Sequence, residues 1–388
     1  MIIGAPGSTS PKYSIVLDGV PLDYTSLSEI RIGMKENHHD VLSVKVAGFP
    51  TRMVNKYKGR AISLEVSTGP FYQETFSGYV ESVNPTSDVK TGPVNHSPLQ
   101  TAEIVAMGAS CGMKGAQTHV WEGVTLSDLA VELAGKYSMS VDVPRTSLTY
   151  ERILQSQESD WQFLVRVSNQ LGYRVTCHGT HIHIFDPYSS VGRGISRSNL
   201  VDFVAATASN GPLQPGTVHK FDVQSNQSHA DGVYLDSIVT VLGEGDAAPY
   251  DISTSDILEI GKPARFQHRI AHPVDNYEEG LRMLHSENKN HYDHDASVGC
   301  SLLLGCRPGG VVYTDGYGND LAGFWYVSEV DHTIAQGKAV TSLSVHKNIN
   351  SELDQDTANM QGPSLTNVPD TSYVDGAWRT QKDVYRVY

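Results

Sequence analysis

Ile153-Leu154-Gln155-Ser156-Gln157-Glu158-Ser159-Asp160-Trp161-Gln162-Phe163-Leu164, running on to Leu171-Gly172-Tyr173, is the stretch on which the reading of this chain turns. Ser159-x-x-Gln162 has capping-box spacing, in which a hydroxyl and a side-chain amide each satisfy an orphan backbone N–H. Glu158 and Asp160 stand where the positive end of a helix dipole favours acids. Leu164, Val167 and Leu171 recur at helical spacing, with Trp161 and Phe163 beside them, and Gly172 suits a left-handed C-terminal cap. The spacing therefore predicts a helix that begins after Ser159 and stops before Gly172.

Working outward, a second capped helix precedes it. Thr125-x-x-Asp128 opens a stripe of Leu126, Leu129, Val131, Leu133 and Ala134 that ends near Tyr137. A hairpin follows it: Tyr173 to Cys177, the turn His178-Gly179-Thr180, then His181 to Phe185 with Ile182 and Ile184 on one face. Residues 108–195 thus read as an α+β module. Upstream the period is two. Strands are expected at Tyr13–Leu17, Val41–Val46, Ala61–Val66, Thr75–Val83 and Thr101–Met107, with a polar loop at Pro85–Pro98. Short strands at this spacing suggest a small barrel or sandwich over 1–107. Downstream, a Ser-, Gly- and Asn-rich region holds strand candidates at His219–Gln224 and Tyr234–Leu242. A helix is expected over 275–292, with Tyr277, Leu281, Leu284 and His285 on one face. Strands at Val298–Leu304, Gly323–His332 and Thr341–His346 close a second β region over 196–348. Residues 349–388 are polar and aperiodic and read as an extended arm.

The chain has 388 residues, 39% of them hydrophobic and 19% charged, enough apolar matter for two or three domains of roughly 150 residues. A net charge of −14 argues against binding nucleic acid by phosphate neutralisation, which needs clustered Lys and Arg. The N-terminal residues 1–11 do not read as a secretory signal, and no apolar run reaches the roughly 18 residues of a membrane span. Four cysteines without a CxxC pair make no disulfide framework.

The candidate sites are weak. His285, His291 and His294, with Asp293 and Asp295, could ligate a metal, and positions 291 and 294 could share a helical face. A solvated helix end explains the run better. His181 and His183 alternate with Ile182 and Ile184 and suit a solvent-facing strand, while Cys300 and Cys306 suit buried, inert thiols. Gly108-Ala109-Ser110-Cys111-Gly112 lacks the strand-to-helix frame of a nucleophile elbow. No cofactor-binding motif and no catalytic constellation stands out.

The element Gln155-x-x-Glu158-Ser159-Asp160-x-x-Phe163-Leu164 resembles one found in phage tail baseplate hub proteins: the late-control proteins of contractile phages and the hub segment of type VI secretion spike proteins. Phe76-x-Gly78-x-Val80, the Leu126–Tyr137 helix, and Tyr326–Thr333 followed by Thr341–Val345 resemble further pieces in the same order, over roughly residues 10–348. The resemblance implies a mainly β, α+β chain with two small related β-barrels, an inserted α+β module and a third helix within the second barrel. It implies a non-enzymatic homotrimeric ring that adapts a sixfold tail tube to a threefold spike and lets DNA pass. The implied partners are the tube or a distal tail protein, a separate spike or needle, and the tape-measure protein, within a virion tail assembled in the host cytoplasm. No β-helical needle repeat follows the second β region, so the piercing tip is expected on another polypeptide. The alternatives are a tail-associated cell-wall hydrolase or metal-dependent peptidase using the 285–295 run as a metal site, and a carbohydrate-binding receptor module.

Overall fold

The computed structural model describes residues 11–22, 27–47, 54–68, 72–86, 101–146, 148–187, 197–199, 215–225, 235–242, 248–253, 266–270, 294–314, 323–335 and 338–347, with single positions and pairs between 274 and 284 and two short strands near the C-terminus. The first part contains β1 (Lys12–Leu17), β2 (Val20–Pro21), β3 (Leu27–Lys35), β4 (Val41–Ala47), the single turn α1 (Val54–Tyr57), β5 (Ala61–Thr68), β6 (Tyr72–Thr86) and β7 (Thr101–Gly108). A 3-10 turn (Ala109–Lys114) leads into β8 (Ala116–Thr125), α2 (Leu126–Lys136), β9 (Ser140–Asp142), β10 (Thr149–Ser159), α3 (Asp160–Gln170), β11 (Arg174–His178) and β12 (His181–Phe185). Then come β13 (Arg197–Asn199), β14 (Val218–Ser225), β15 (Leu235–Val241), β16 (Tyr250–Ser253), β17 (Phe266–Arg269), β18 (His294–Ser301), β19 (Val311–Thr314), β20 (Gly323–Ala335) and β21 (Lys338–Lys347). Two short strands, β22 (Ser372–Val374) and β23 (Ala377–Arg379), pair with each other.

One sheet carries both β regions. Its order is β14-β18-β21-β20-β3-β4-β7-β6-β5-β1-β2, with β13 and β19 attached beside β20. The halves meet where β3 and β20 pair antiparallel, from Glu329 opposite Lys35 to Ala335 opposite Glu29. Each half offers the leading strand of a hairpin to this seam, β3 from β3–β4 and β20 from β20–β21. Among the described pairings the sheet is open, ending at β2 and β14. Alternation supplies one apolar face to a single core. Leu42, Val44, Ile62, Leu64 and Ile104 from the first half pack in one cluster with Val298, Trp325, Val330 and Leu343 from the second. Every one of these side chains is at most 2% exposed, which at about 25 cal/mol per Å² makes this core the main apolar stabilisation of both halves together.

The module has its own core, in which Leu126, Leu129 and Leu133 of α2 and Phe163, Leu164 and Val167 of α3 meet Val175, Ile182 and Ile184 of the β11–β12 hairpin. A small third cluster joins Val239 and Val241 of β15 to Ile252, Val274, Met283 and Leu284.

Both expected helices of the module form with their expected caps. Thr125 accepts from the Asp128 N–H and Ser159 from the Gln162 N–H, each with the reciprocal bond in place. Gly172 takes a φ of 82° past the end of α3. Two expectations need correction. The apolar stripe near 280 does not include Tyr277, which is half exposed; Met283 and Leu284 are the buried members, with Gly280 beside them. His294 does not share a helix face with position 291, because it opens strand β18 opposite Lys347. Strand β6 also runs through Pro85 to Thr86, shortening the expected loop. The remainder of that loop, His285, His291, and the expected arm other than β22 and β23 lie outside the described residues.

Candidate functional site at the junction of sheet and module

The family-like element is built as a buried hydrogen-bond knot. Strand β10 pairs with β8, and its register slips between Gln155 and Glu158, where Gln157 adopts a φ of 54°. Gln155 follows Ile153 onto the inner face by strand alternation, just before the bulge, and is fully buried. Its Oε1 accepts from the Trp121 indole at 3.3 Å, and its Nε2 donates to Asp160 Oδ1 at 2.8 Å. Asp160 is likewise buried and also accepts from Gln117, Lys136 (2.6 Å) and Tyr137 (2.6 Å). Burial works to raise its pKa, but the bonds from Gln155, Lys136 and Tyr137 together outweigh it and hold the carboxyl below its ordinary value. Glu158 takes a two-pronged grip from Arg166 at 2.5 and 3.1 Å, and Arg166 also donates to the Leu154 carbonyl at 2.9 Å. Phe163 and Leu164 fill the module core. Every residue of the element is thus spent on tying β10, α2 and α3 together, and none is left as a nucleophile or base facing a cleft.

The next residue, Trp161, looks outward to the β3–β4 turn. Its indole donates to the Asn37 carbonyl at 3.2 Å and its ring lies 4.9 Å from that of His39. Asn37 is the clamp. It sits at a φ of 63°, where its short polar side chain is tolerated, its backbone N–H donates to the Val175 carbonyl at 2.7 Å, and its Oδ1 accepts from the Val175 N–H at 3.0 Å. Its Nδ2 also donates to Asn169 at 3.2 Å. Glu36 faces Arg174 of the module at 3.3 Å and accepts from the Tyr326 hydroxyl of β20, while its backbone N–H donates to the Ser328 carbonyl at 3.1 Å. One five-residue turn therefore touches both sheet halves and the module.

A buried charge cluster lies beside it. Glu74 of β6, with its side chain fully buried, pairs with Arg307 of the β18–β19 loop at 2.8 Å and accepts from the Gly305 N–H at 3.4 Å. Arg307 also meets His178 of the β11–β12 turn at 2.8 Å. Burial, then Arg307, pushes His178 and His332 each down to about 4 and keeps both neutral. Burial, then Glu74, pushes Asp40 up to about 8. Perturbed groups of this kind can mark active sites, but ion pairs that join structural elements perturb pKa values in the same way. Here the pair joins the two halves and the module, and Gly309, at a φ of 86°, packs its bare Cα against the Phe185 ring close by.

The sequence-level candidates do not converge. Half-buried His294 lies 6.5 Å from the Trp325 ring. His181 and His183 bond Ser140 and Asp142 of β9 instead of sharing a ligand. Cys300 and Cys306 are buried, and burial raises the Cys300 thiol pKa. Ser110 lies in the 3-10 turn against His39 Nδ1 at 2.8 Å. Among the described residues no group of three or more His, Cys, Asp or Glu is arranged to hold a metal, and no helix is long and apolar enough to cross a membrane. The junction residues Glu36, Asn37, Glu74 and Arg307 escaped the sequence reading. Only the turn-prone Glu36-Asn37-His38-His39-Asp40 run could have hinted at them.

Comparison with known proteins adds the following. A family model described as the Alg8 N-terminal domain matches residues 108–209, well under half of the chain. No curated protein matches. Among solved structures, the chain is similar to a 43 kDa tail protein of prophage MuSo2 from Shewanella oneidensis, with 12% identity, TM-score 0.60, and 87% of this chain covering 98% of that one. It is similar to a tail protein from Neisseria meningitidis, with 12% identity, TM-score 0.61, and coverage of 88% and 97%. It is also similar to an Escherichia coli component of the type VI secretion system, itself described as resembling phage T4 tail proteins, with 9% identity, TM-score 0.51, and coverage of 82% and 73%. Coverage of this extent at such low identity means that the fold is what is shared, and the chain has the fold of these phage tail proteins.

Proposed function

We propose that this protein is a structural hub of a phage tail or tail-like particle. Three copies close a ring that adapts a sixfold tail tube to a threefold spike and lets DNA pass. The observation that carries this reading is the seam. The two β halves each present a hairpin to the other through β3 and β20 and share one core, which supports a chain that carries two hub units side by side. Three such chains offer six units to a tube and a threefold axis to a spike. Residues 1–107 and 196–348 are the two hub units, 108–195 the module that braces them, and 349–388 an arm that reaches a neighbour. The excess of acid lines the channel, where carboxylates repel phosphates and supply no ion-pair partner. The module element Gln155, Glu158, Ser159, Asp160, Phe163 and Leu164 is structural, and no metal or cofactor takes part. The partners are the tube or distal tail protein, a separate spike or needle, and the tape-measure protein; the site of action is the virion tail, after assembly in the host cytoplasm.

Light scattering on the purified chain, alone and mixed with its tube protein, tests the proposal. A particle of three times the 42.3 kDa chain mass is expected. A monomer that stays monomeric with the tube protein present overturns it.

A further inference from the structure

Three strands of the second half bring a serine, a histidine and an aspartate into one hydrogen-bonded line. His346 of β21 stands directly opposite Asp295 of β18, and its Nδ1 lies 2.5 Å from Asp295 Oδ1. Its Nε2 lies 2.6 Å from Ser328 Oγ of β20. Ser328 is the extra residue of a β-bulge: Val327 pairs with Val345 and Glu329 with Ser344, so Ser328 has no register partner on β21. The bulge swings it out of the alternation and onto the imidazole, and such bulges re-aim side chains at reactive positions.

We propose that Ser328 is an activated nucleophile, with His346 as its base and Asp295 as the group that orients the base, and that it takes acyl groups from small carboxylic esters. This goes beyond the structural role. The carboxylate at Nδ1 holds the ring proton there, which leaves the Nε2 lone pair to accept from Ser328. The Ser344 carbonyl competes for the hydroxyl proton at 3.2 Å, a longer contact than the one to Nε2. The site opens towards solvent through His346 and Asp295, whose side chains are 22% and 42% exposed. In the reaction the Oγ proton moves to Nε2, the Oγ–acyl bond forms, and the ester C–O bond breaks as the imidazolium returns its proton to the departing alkoxide. Water then attacks the acyl-serine, its proton passing through His346 to Oγ as the carboxylic acid leaves.

A fluorophosphonate probe tests the nucleophile directly, since fluoride departs without help from a substrate pocket. The full chain is incubated with the probe at neutral pH, and the adduct is located by peptide mapping of the wild-type protein. The expected result is one adduct, on Ser328, absent in Ser328→Ala. Labelling should be slower by about a hundredfold in His346→Gln, within the range a positioned base contributes, and by at least about tenfold in Asp295→Asn. Melting curves confirm that each variant is folded, and the wild-type map decides the question alone if one is not. No adduct on Ser328, an adduct elsewhere in its place, or an unchanged rate in folded His346→Gln overturns the proposal.

Discussion

Replacing Asp160 by Asn keeps the size of a fully buried side chain and removes only its charge and one acceptor oxygen. Four donors converge on the carboxylate. An amide can serve one oxygen site and must present its NH2 at the other. At the Oδ1 site the NH2 would face the Gln155 amide, which cannot flip without abandoning the Trp121 indole. At the Oδ2 site it faces Lys136 and Tyr137, and Tyr137 can turn its hydroxyl to accept. The second arrangement costs less. Gln117, Gln155 and Tyr137 each exchange a bond to a charge for a neutral one, about 1 kcal/mol apiece. Lys136, 47% exposed, moves to water for about 0.5 kcal/mol more. The sum is about 3–4 kcal/mol.

The pH dependence follows from the lowered pKa of Asp160. A carboxyl whose folded pKa lies below its unfolded one contributes stability above the unfolded value, about 3.9, and loses it as pH falls through the folded value. The cost of Asp160→Asn should therefore be full at pH 7 and shrink from about pH 4 downward. Urea unfolding followed by tryptophan emission reads this, since Trp121 and Trp161 both belong to the module core. A difference below about 0.5 kcal/mol at pH 7, or one unchanged in acid, would refute the assignment of Asp160 as the knot of the module.

Ser159→Ala should cost about 1 kcal/mol in the same assay, because the Gln162 N–H loses its acceptor. Asn37→Ala should cost more, about 2 kcal/mol, since it removes the side-chain bonds to Val175 and Asn169 and strains a backbone at a φ of 63°; a cost no larger than that of Ser159→Ala would count against the clamp. Asp40, held protonated by burial beside Glu74 up to about pH 8, makes the protein lose stability as pH rises from the ordinary carboxylate range towards 8. Asp40→Asn should flatten that slope and raise the melting temperature at pH 8; an unchanged profile would show that Asp40 ionises freely.

The local signals were legible because each lies within a few residues. Both capping boxes, the Gly172 cap and the β11–β12 turn follow from neighbours in sequence, and local hydrogen-bonding geometry enforces them. The edges of β4, β5 and β7 follow from clean alternation against one buried face. Strand β3 was overlooked although Ile30, Ile32 and Met34 alternate, because a bulge between Leu27 and Glu29 breaks the pattern at its start. Strands β8 and β10 were overlooked because their outer face is polar and they bury few residues. The His285–Asp295 run suggested a helix end, yet its last residues pair into β18, where the partner strand β21 overrode the local composition.

The sequence by itself determined the mixed module between two β regions, the caps of its helices, the net negative charge, and the family-like element. Tertiary structure decided how the pieces join: the β3–β20 seam, the Asn37 clamp, the Glu74–Arg307 pair and the Ser328–His346–Asp295 line. The division has a physical cause. Caps and periodicity report on contacts a few residues apart. The Glu74–Arg307 and Glu36–Tyr326 bonds close across more than two hundred residues, and only a folded sheet specifies which strands become neighbours.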